Sequence, residues 1–280
     1  MTRTGNEDRP EAKENYMICL DVDGTLVNHD GAMSRSVKDS ARAIVAAGHE
    51  VVISTGRSLG ATLPVIRMLG IEQGYAVCCN GGVTVRLDLS LEDGYEVIDR
   101  KTFNPAPALR ALRESLPTAK YALEDDRGRF LSTERFQDAS FGVVADPVTL
   151  EEMLEATAVR LVVFSTDATA EEFGEAVSVM GLAGVTYSVG WTAWLDIAAE
   201  GVTKASGLEV LREKLSFSNE QTVAVGDGRN DIEMLAWAGR GVAMGQAPDE
   251  VKASANEITA GVDEDGLANV LWGILEKSRA

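Results

Sequence analysis

Basic residues are scarce in this chain: 26 lysines and arginines stand against 44 aspartates and glutamates, a formal charge of −18 over 280 residues. A surface of that sign repels the phosphate backbone of nucleic acid and the anionic face of a membrane, so neither is an expected partner. The same field repels a phosphorylated metabolite. Any phosphate site must therefore carry its own local positive field, from a metal ion, a lysine or backbone N–H groups. Apolar runs long enough to cross a bilayer are absent, and the polar stretch 1–15 lacks the charged-then-apolar order of a secretion signal. That stretch is expected to be a disordered leader, and the protein cytoplasmic. Cysteine is limited to Cys19, Cys78 and Cys79, an odd number in or beside apolar runs. This suits buried thiols in a reducing compartment better than a disulfide framework. Adjacent Cys78 and Cys79 point to opposite faces of a strand and make no metal pair. Repeats and low-complexity segments are missing too. What is present, 45% hydrophobic and 25% charged residues, is ordinary for one large globular domain or two modest ones.

The short apolar run Met17-Ile18-Cys19-Leu20 reads as a buried strand, which places Asp21 at a strand's carboxyl end. Ser34 is a plausible N-cap for a helix in which Val37, Ala41, Ile44 and Val45 share a face, and Gly48 ends it. Val51-Val52-Ile53 is a second strand ending in Ser54-Thr55-Gly56-Arg57. A helix over Ala61–Leu69 follows, with Pro64 in its first turn, and Ala76–Cys79 is a third strand. This alternation predicts a Rossmann-like, doubly wound parallel sheet whose ligands bind beyond the carboxyl ends of its strands. From Val83 the texture changes to short stretches with Gly and Asp turns, beginning with a hairpin over Val83–Leu87 and Tyr95–Ile98. Residues 83–197 are expected to form a separate, inserted α+β domain, with helices over Leu109–Leu116 and Ala170–Met180 and strands over Ala158–Ser165, Val185–Val189 and Ala193–Ile197. The parallel texture then resumes, so 16–82 and 198–280 would share one core domain. Its second part holds a helix over Lys204–Leu215, a strand over Thr222–Val225, a helix over Asp231–Ala238 and a strand over Gly241–Met244.

Asp21-Val22-Asp23-Gly24-Thr25 follows directly on a strand, and two carboxylates two residues apart in extended backbone project to one side. One can attack phosphorus if a metal neutralises the incoming anion, while its neighbour handles protons. Gly226-Asp227-Gly228-Arg229-Asn230-Asp231 likewise follows a strand and opens a helix, with two carboxylates four apart. Asp21 and Asp227 facing each other from neighbouring strands would suit magnesium, which takes one or two carboxylates plus water and phosphate oxygens. Thr55 and Gly56 offer a hydroxyl and an open backbone to a phosphoryl oxygen, and Lys204 a point charge. Each motif alone is common in turns, helix caps and surfaces. All four at strand ends or helix starts of one sheet are not.

In these motifs the chain resembles the haloacid dehalogenase superfamily, specifically the Cof-type phosphatases with a class IIB cap inserted after the third core strand. D-x-D-G-T-L is Asp21–Leu26, the Ser/Thr motif is Thr55 within S-T-G-R, the lysine is Lys204, and G-D-x-x-N-D is Gly226–Asp231. Asn80-Gly81-Gly82 and Ala243-Met244-Gly245 resemble further runs of that subfamily. The resemblance implies a phosphatase acting through an aspartyl-phosphate, with Asp21 as nucleophile and metal ligand and Asp23 as acid and base. Asp23 would also bind Mg2+ through its carbonyl, Asp227 would be the third protein ligand, and Asp231 would hold a metal-bound water or ligate weakly. The Val22 N–H, Thr55, Gly56, Lys204 and Asn230 would cradle the phosphate of a small phosphorylated metabolite, a sugar phosphate or a phosphorylated cofactor. Arg57, Asn80, Trp191 and Trp194 are candidate substrate contacts. Two rival readings are a phosphomutase of the phosphomannomutase type and a non-catalytic sensor of phosphometabolites. His29 is expected to line the entrance or face water, and His49 and the acidic run Glu124-Asp125-Asp126 to lie at the surface.

Overall fold

The computed structural model describes residues 15–133, 144–165, 169, 171, 173, 175, 177, 182, 184–189 and 194–277. Trp191 and residues 1–14 of the expected leader lie outside the described residues. The carbonyl of Asn15, the last leader residue, accepts from Gln221 Nε2 at 3.2 Å.

Two sheets organise the chain. The first is built on strands β1 (Met17–Leu20), β2 (Glu50–Ser54) and β3 (Gln73–Cys78), with helices α1 (Arg35–Ala46) and α2 (Leu59–Leu69) crossing between them. Strand β1 alternates its side chains between two apolar layers: Ile18 and Leu20 pack with α1 and α2, while Met17 and Cys19 pack on the opposite face. Because both faces are covered, β1 is apolar at every position, as a central parallel strand must be. Ser34 caps α1 through the Val37 N–H at 3.1 Å. Helix α2 begins earlier than expected because Ser58, not a later residue, is its N-cap. Pro64 therefore lies in its second turn, where its missing N–H removes one intrahelical bond.

Beyond β3 the structure departs from the expected boundary at Val83. The hairpin of β4 (Val83–Asp88) and β5 (Tyr95–Arg100) pairs antiparallel with β3 and extends the first sheet, so the hand-over falls after Arg100. The sequence marks the hairpin, but nothing local to it says which open edge it will satisfy. The second sheet contains β6 (Lys120–Asp125), β7 (Phe130–Ser132), β8 (Asp146–Pro147), β9 (Ala158–Phe164), β10 (Val185–Val189) and β11 (Trp194–Ala199), in the order β10-β11-β9-β6-β7-β8. Helices α3 (Ala106–Ser115) and α4 (Leu150–Glu155) cover one face of it. Of the helix expected over Ala170–Met180, the described Glu171, Phe173, Glu175 and Val177 are helical, and Phe173 and Val177 are buried on that same face.

The chain then returns through α5 (Lys204–Leu215) to β12 (Thr222–Gly226), α6 (Ile232–Trp237), β13 (Arg240–Ala243), α7 (Asp249–Ser254), β14 (Glu257–Ile258) and α8 (Gly266–Lys277). The completed first sheet runs β14-β13-β12-β1-β2-β3-β4-β5 and is parallel from β14 to β3. The three cysteines are free and buried. His49, expected at the surface, is buried, with Nδ1 accepting the Tyr16 N–H at 3.1 Å. Among the described residues, no helix is long and apolar enough to cross a membrane.

Candidate active site

Register brings the site together. Leu20 of β1 lies level with Val225 of β12 and Ile53 of β2, so the next residues, Asp21, Gly226 and Ser54, emerge at one height. The Asp21 N–H still donates to the Val225 carbonyl at 3.0 Å, continuing the ladder by one step. Asp227 and Thr55 follow immediately, which places three of the four motifs along one edge of the parallel sheet.

The fourth arrives from α5. Lys204 is its first residue, set there by the N-cap Thr203, and its side chain is fully buried. Its Nζ lies 2.6 Å from both Asp21 Oδ1 and Asp231 Oδ1. Burial alone would discharge such a lysine, but the two carboxylates outweigh it and hold its pKa above the usual lysine value. Asp21 is pushed well up by burial and by Asp231, against the pull of Lys204. Asp227 is raised to about 6 by burial and Asp231. Both shifts express one fact: three buried carboxylates share a single lysine.

Asp231 is occupied on both oxygens. Its Oδ2 accepts the N–H groups of Asp227 (3.0 Å) and Gly228 (2.9 Å), folding the loop back on itself. Gly226 is required by that fold, since a Cβ there would lie 2.5 Å from Asp231 Cγ. Asp227 is steadied by Gln246, whose Nε2 donates to Asp227 Oδ2 (3.2 Å) and to the Gly24 carbonyl (2.6 Å). Gly24 has φ +81°, and a Cβ would sit 2.1 Å from Asp227 Oδ2. No other residue type fits between the two loops.

Asp23 stands apart from this cluster. A tight turn, with Gly24 N–H to Val27 carbonyl at 2.8 Å and Val27 N–H to Val22 carbonyl at 2.9 Å, lifts its side chain to 61% exposure. Arg57 grips it in a two-pronged ion pair, Nε to Oδ2 at 2.8 Å and Nη2 to Oδ1 at 2.5 Å. Arg57, a candidate substrate contact from sequence, is thus a partner of Asp23. The turn makes no use of the Val22 N–H, which donates to no described residue. His29, just beyond the turn, is exposed.

Thr55 is buried, and its hydroxyl accepts the Arg57 N–H at 3.1 Å. Asn80, held at φ +52° after β3, accepts from Asn230 Nδ2 at 2.9 Å and packs on Gly56, where a Cβ would lie 3.1 Å from its Oδ1. The structure therefore joins Gly56, Asn80 and Asn230 into one wall. Asn80 and Asn230 also line a cavity of about 240 Å³, together with Lys204 and with Arg160 and Asp196 of the second sheet. Trp194 is not part of this lining. It stacks on Phe164 with centroids 5.9 Å apart and donates to Asp196 Oδ2 at 3.2 Å.

Sequence reasoning missed Gln246, Cys79, Arg160 and Asp196. Gln246 directly follows the Ala243-Met244-Gly245 run, a signal close at hand. The others sit in unremarkable strand text. Glu124 and Asp125, expected on a solvated face, are both buried. Glu124 takes the Cys79 thiol proton donor at 3.2 Å, and Asp125 accepts the Arg127 and Arg129 N–H groups and pairs with Arg129. A run of three acids reads as surface, but strand alternation turns individual members inward.

Ligand oxygens of Asp21, Asp227 and Asp231 all lie within 4.8 Å of one another. Oxygens sharing one octahedral magnesium lie about 2.9 to 4.2 Å apart, so the three carboxylates would draw together around a shared ion. Three carboxylates against one lysine leave excess negative charge, and hard oxygen donors suit a hard divalent cation. The residues present fit such an ion.

Taken together, fold and site define an α/β core, with a cluster of buried acids able to hold a divalent ion at the carboxyl edge of its parallel strands and a second α+β sheet across the cavity. The chain belongs to the haloacid dehalogenase-like hydrolases, whose family model matches residues 18–271. It is 30% identical over 272 residues to YkrA of Bacillus subtilis, covering 91% of this chain and 96% of that protein. It is 28% identical over 278 residues to the pyridoxal phosphate phosphatase YbhA of Escherichia coli, covering 92% and 98% respectively. Among solved structures it resembles the subclass IIB sugar phosphatase BT4131, with a TM-score of 0.77 at 26% identity over 93% of this chain and 99% of that one.

Proposed function

We propose that this hydrolase is a magnesium-dependent phosphatase that acts on small phosphomonoesters, sugar phosphates or phosphorylated cofactors, through a phosphoryl group carried transiently on Asp21. The observation that carries the reading is the buried Asp21 carboxylate, fixed by Lys204 beside Asp227 and Asp231, with Lys204 also lining the neighbouring cavity. Relatives named as phosphatases support it. Magnesium, held by Asp21, Asp227 and the Asp23 carbonyl with Asp231 behind them, would neutralise the phosphate and orient its oxygens.

In the first half-reaction an Asp21 oxygen bonds to phosphorus as the ester P–O bond breaks, and Asp23 gives its proton to the departing alcohol oxygen. In the second, water bonds to phosphorus while losing a proton to Asp23, and the bond to Asp21 breaks. Inorganic phosphate leaves, with Asp21 again a carboxylate and Asp23 again a carboxylic acid. Lys204, Thr55, Gly56, Asn230 and the Val22 N–H hold the non-bridging oxygens. Arg57 orients Asp23 and keeps it at the mouth, where a leaving oxygen would pass. The second sheet acts as a specificity cap that shields the centre from bulk water. The partner is a small phosphorylated metabolite, with no role for nucleic acid or membrane, and buried unpaired thiols suit the reducing cytoplasm.

The test is phosphate release from a panel of phosphomonoesters with and without magnesium, comparing the natural chain with Asp21→Asn. Release that requires both the metal and Asp21 is the expected result. Release that survives Asp21→Asn undiminished would dismiss Asp21 as the nucleophile.

A further inference from the structure

The far end of the cavity is built with care. Along β9 and β11 the odd-numbered Leu161, Val163, Leu195 and Ile197 face the helices of the second sheet. The even-numbered residues face the other way, which brings Arg160 and Asp196 to the cavity wall. Register sets Asp196 opposite Val162, diagonal to Arg160. Arg160 Nε and Nη2 both lie 2.5 Å from Asp196 Oδ1, and Trp194 Nε1 donates to Oδ2. The pair is only 6% and 15% exposed. Replacing a buried ion pair by apolar residues of similar size is commonly neutral or stabilising, so this pair is poorly explained by stability alone.

Its position supplies another explanation. A carboxylate offers about four acceptor positions, and three on Asp196 are taken by Arg160 and Trp194. One remains for a donor inside the cavity. The cations that line the cavity are matched: Lys204 by Asp21 and Asp231, Arg229 by Glu250, and Arg160 by Asp196. Glu233 adds a further negative charge to the lining. At about 240 Å³ the space is smaller than the roughly 300–1,000 Å³ of drug-sized pockets. It takes one small moiety, next to Lys204 and Asn230 of the phosphate-holding set.

We propose that the Arg160–Asp196 pair is the specificity-determining element of the cavity, selecting an uncharged, hydroxyl-bearing leaving group over one with a second phosphate or a carboxylate. This deepens the phosphatase reading and rests on it. Asp196 accepts from a hydroxyl of the leaving group, and its charge repels a second anion at the same place.

The test measures kcat and KM of the full chain with magnesium on four probes: glucose 6-phosphate, 6-phosphogluconate, fructose 1,6-bisphosphate and p-nitrophenyl phosphate. The natural chain should prefer the uncharged polyol ester over the two doubly anionic ones by about tenfold or more in kcat/KM. Asp196→Asn should raise KM for that ester about ten- to hundredfold, much more than for p-nitrophenyl phosphate, which brings no hydroxyl donor, and should narrow the discrimination against phosphogluconate. Trp194→Phe, which keeps a ring but removes the donor to Oδ2, gives a second arm with a smaller KM rise on the same ester. Equal use of the doubly anionic probes by the natural chain, or no KM change in a folded Asp196→Asn, overturns the proposal. Calorimetric affinities of Asp21→Asn for the same esters separate the two levels. Preference in binding with no turnover by the natural chain would sink the phosphatase reading, and with it the leaving-group role of the pair, while turnover without preference would sink this proposal alone.

Discussion

Lys204 holds apart two carboxylates that would otherwise repel each other in a buried space. Removing one partner of such a network leaves uncompensated charge, at a cost of about 3–5 kcal/mol. Lys204→Met should therefore lower the urea stability of the metal-free protein by about that amount, and magnesium should restore part of it by replacing the lost positive charge. A variant as stable as its parent without metal would mean that the carboxylates are already protonated. Glu124 gives a different test, since no metal touches it. Burial raises its pKa, opposed by the Cys79 thiol and the charges of Arg160 and Arg100, while Asp125 adds to the rise. An acid whose folded pKa is raised favours the fold when protonated, and that contribution is lost as pH climbs through the folded pKa. Glu124→Gln keeps an acceptor for Cys79 and cannot ionise. It should melt higher than the parent at pH 8, with the advantage disappearing below the ordinary glutamate pKa. An advantage of equal size at all pH values would rule out ionisation as its source.

Loops between strands and helices carry the chemistry, and two glycines decide whether they can. Gly24 lets the turn after β1 pass against Asp227, and Gly226 lets the loop after β12 close on Asp231. Gly24→Ala combines a disallowed φ with a Cβ on top of a carboxylate, so it should displace Asp227. The expected outcome is a loss of magnesium affinity by calorimetry, together with a lowered melting temperature in metal-free buffer, because the turn's Val22, Leu26 and Val27 belong to the buried core. Unaltered magnesium affinity would remove Asp227 from the ligand set. Two helices kept the starts their caps set, while α2 and α3 began two and three residues earlier than expected. Ser34 capped α1, Thr203 capped α5, and α5 spans Lys204–Leu215 as its pattern indicated. Strand boundaries moved by up to three residues, β3 beginning at Gln73 rather than Ala76, because hydrogen bonding to a neighbour rather than the strand's own composition ends a strand.

The net charge of −18 acts on the molecule as a body. A dianionic ester approaching it is repelled at long range and attracted only near the metal and Lys204. Raising monovalent salt from about 10 to about 150 mM shortens the Debye length from about 30 to about 8 Å, which screens the distant repulsion before the local attraction. With magnesium saturating, kcat/KM should rise over that range. A fall would mean that the local field dominates even at a distance.

Chain order and short motifs were enough to read a doubly wound core, an insertion, and the residues that meet at its carboxyl edge, because strand ends in a parallel sheet are brought together by topology alone. Asp21, Thr55, Lys204, Asp227 and Asp231 were legible for that reason. The rest depended on contacts between segments far apart in the chain: the β4–β5 hairpin joining the first sheet, Arg57 gripping Asp23, Gln246 bridging two loops, and Arg160 meeting Asp196. Such pairings obey geometry across the fold, where each partner is one of many similar residues in its own stretch of sequence, and only the folded chain brings the two within reach.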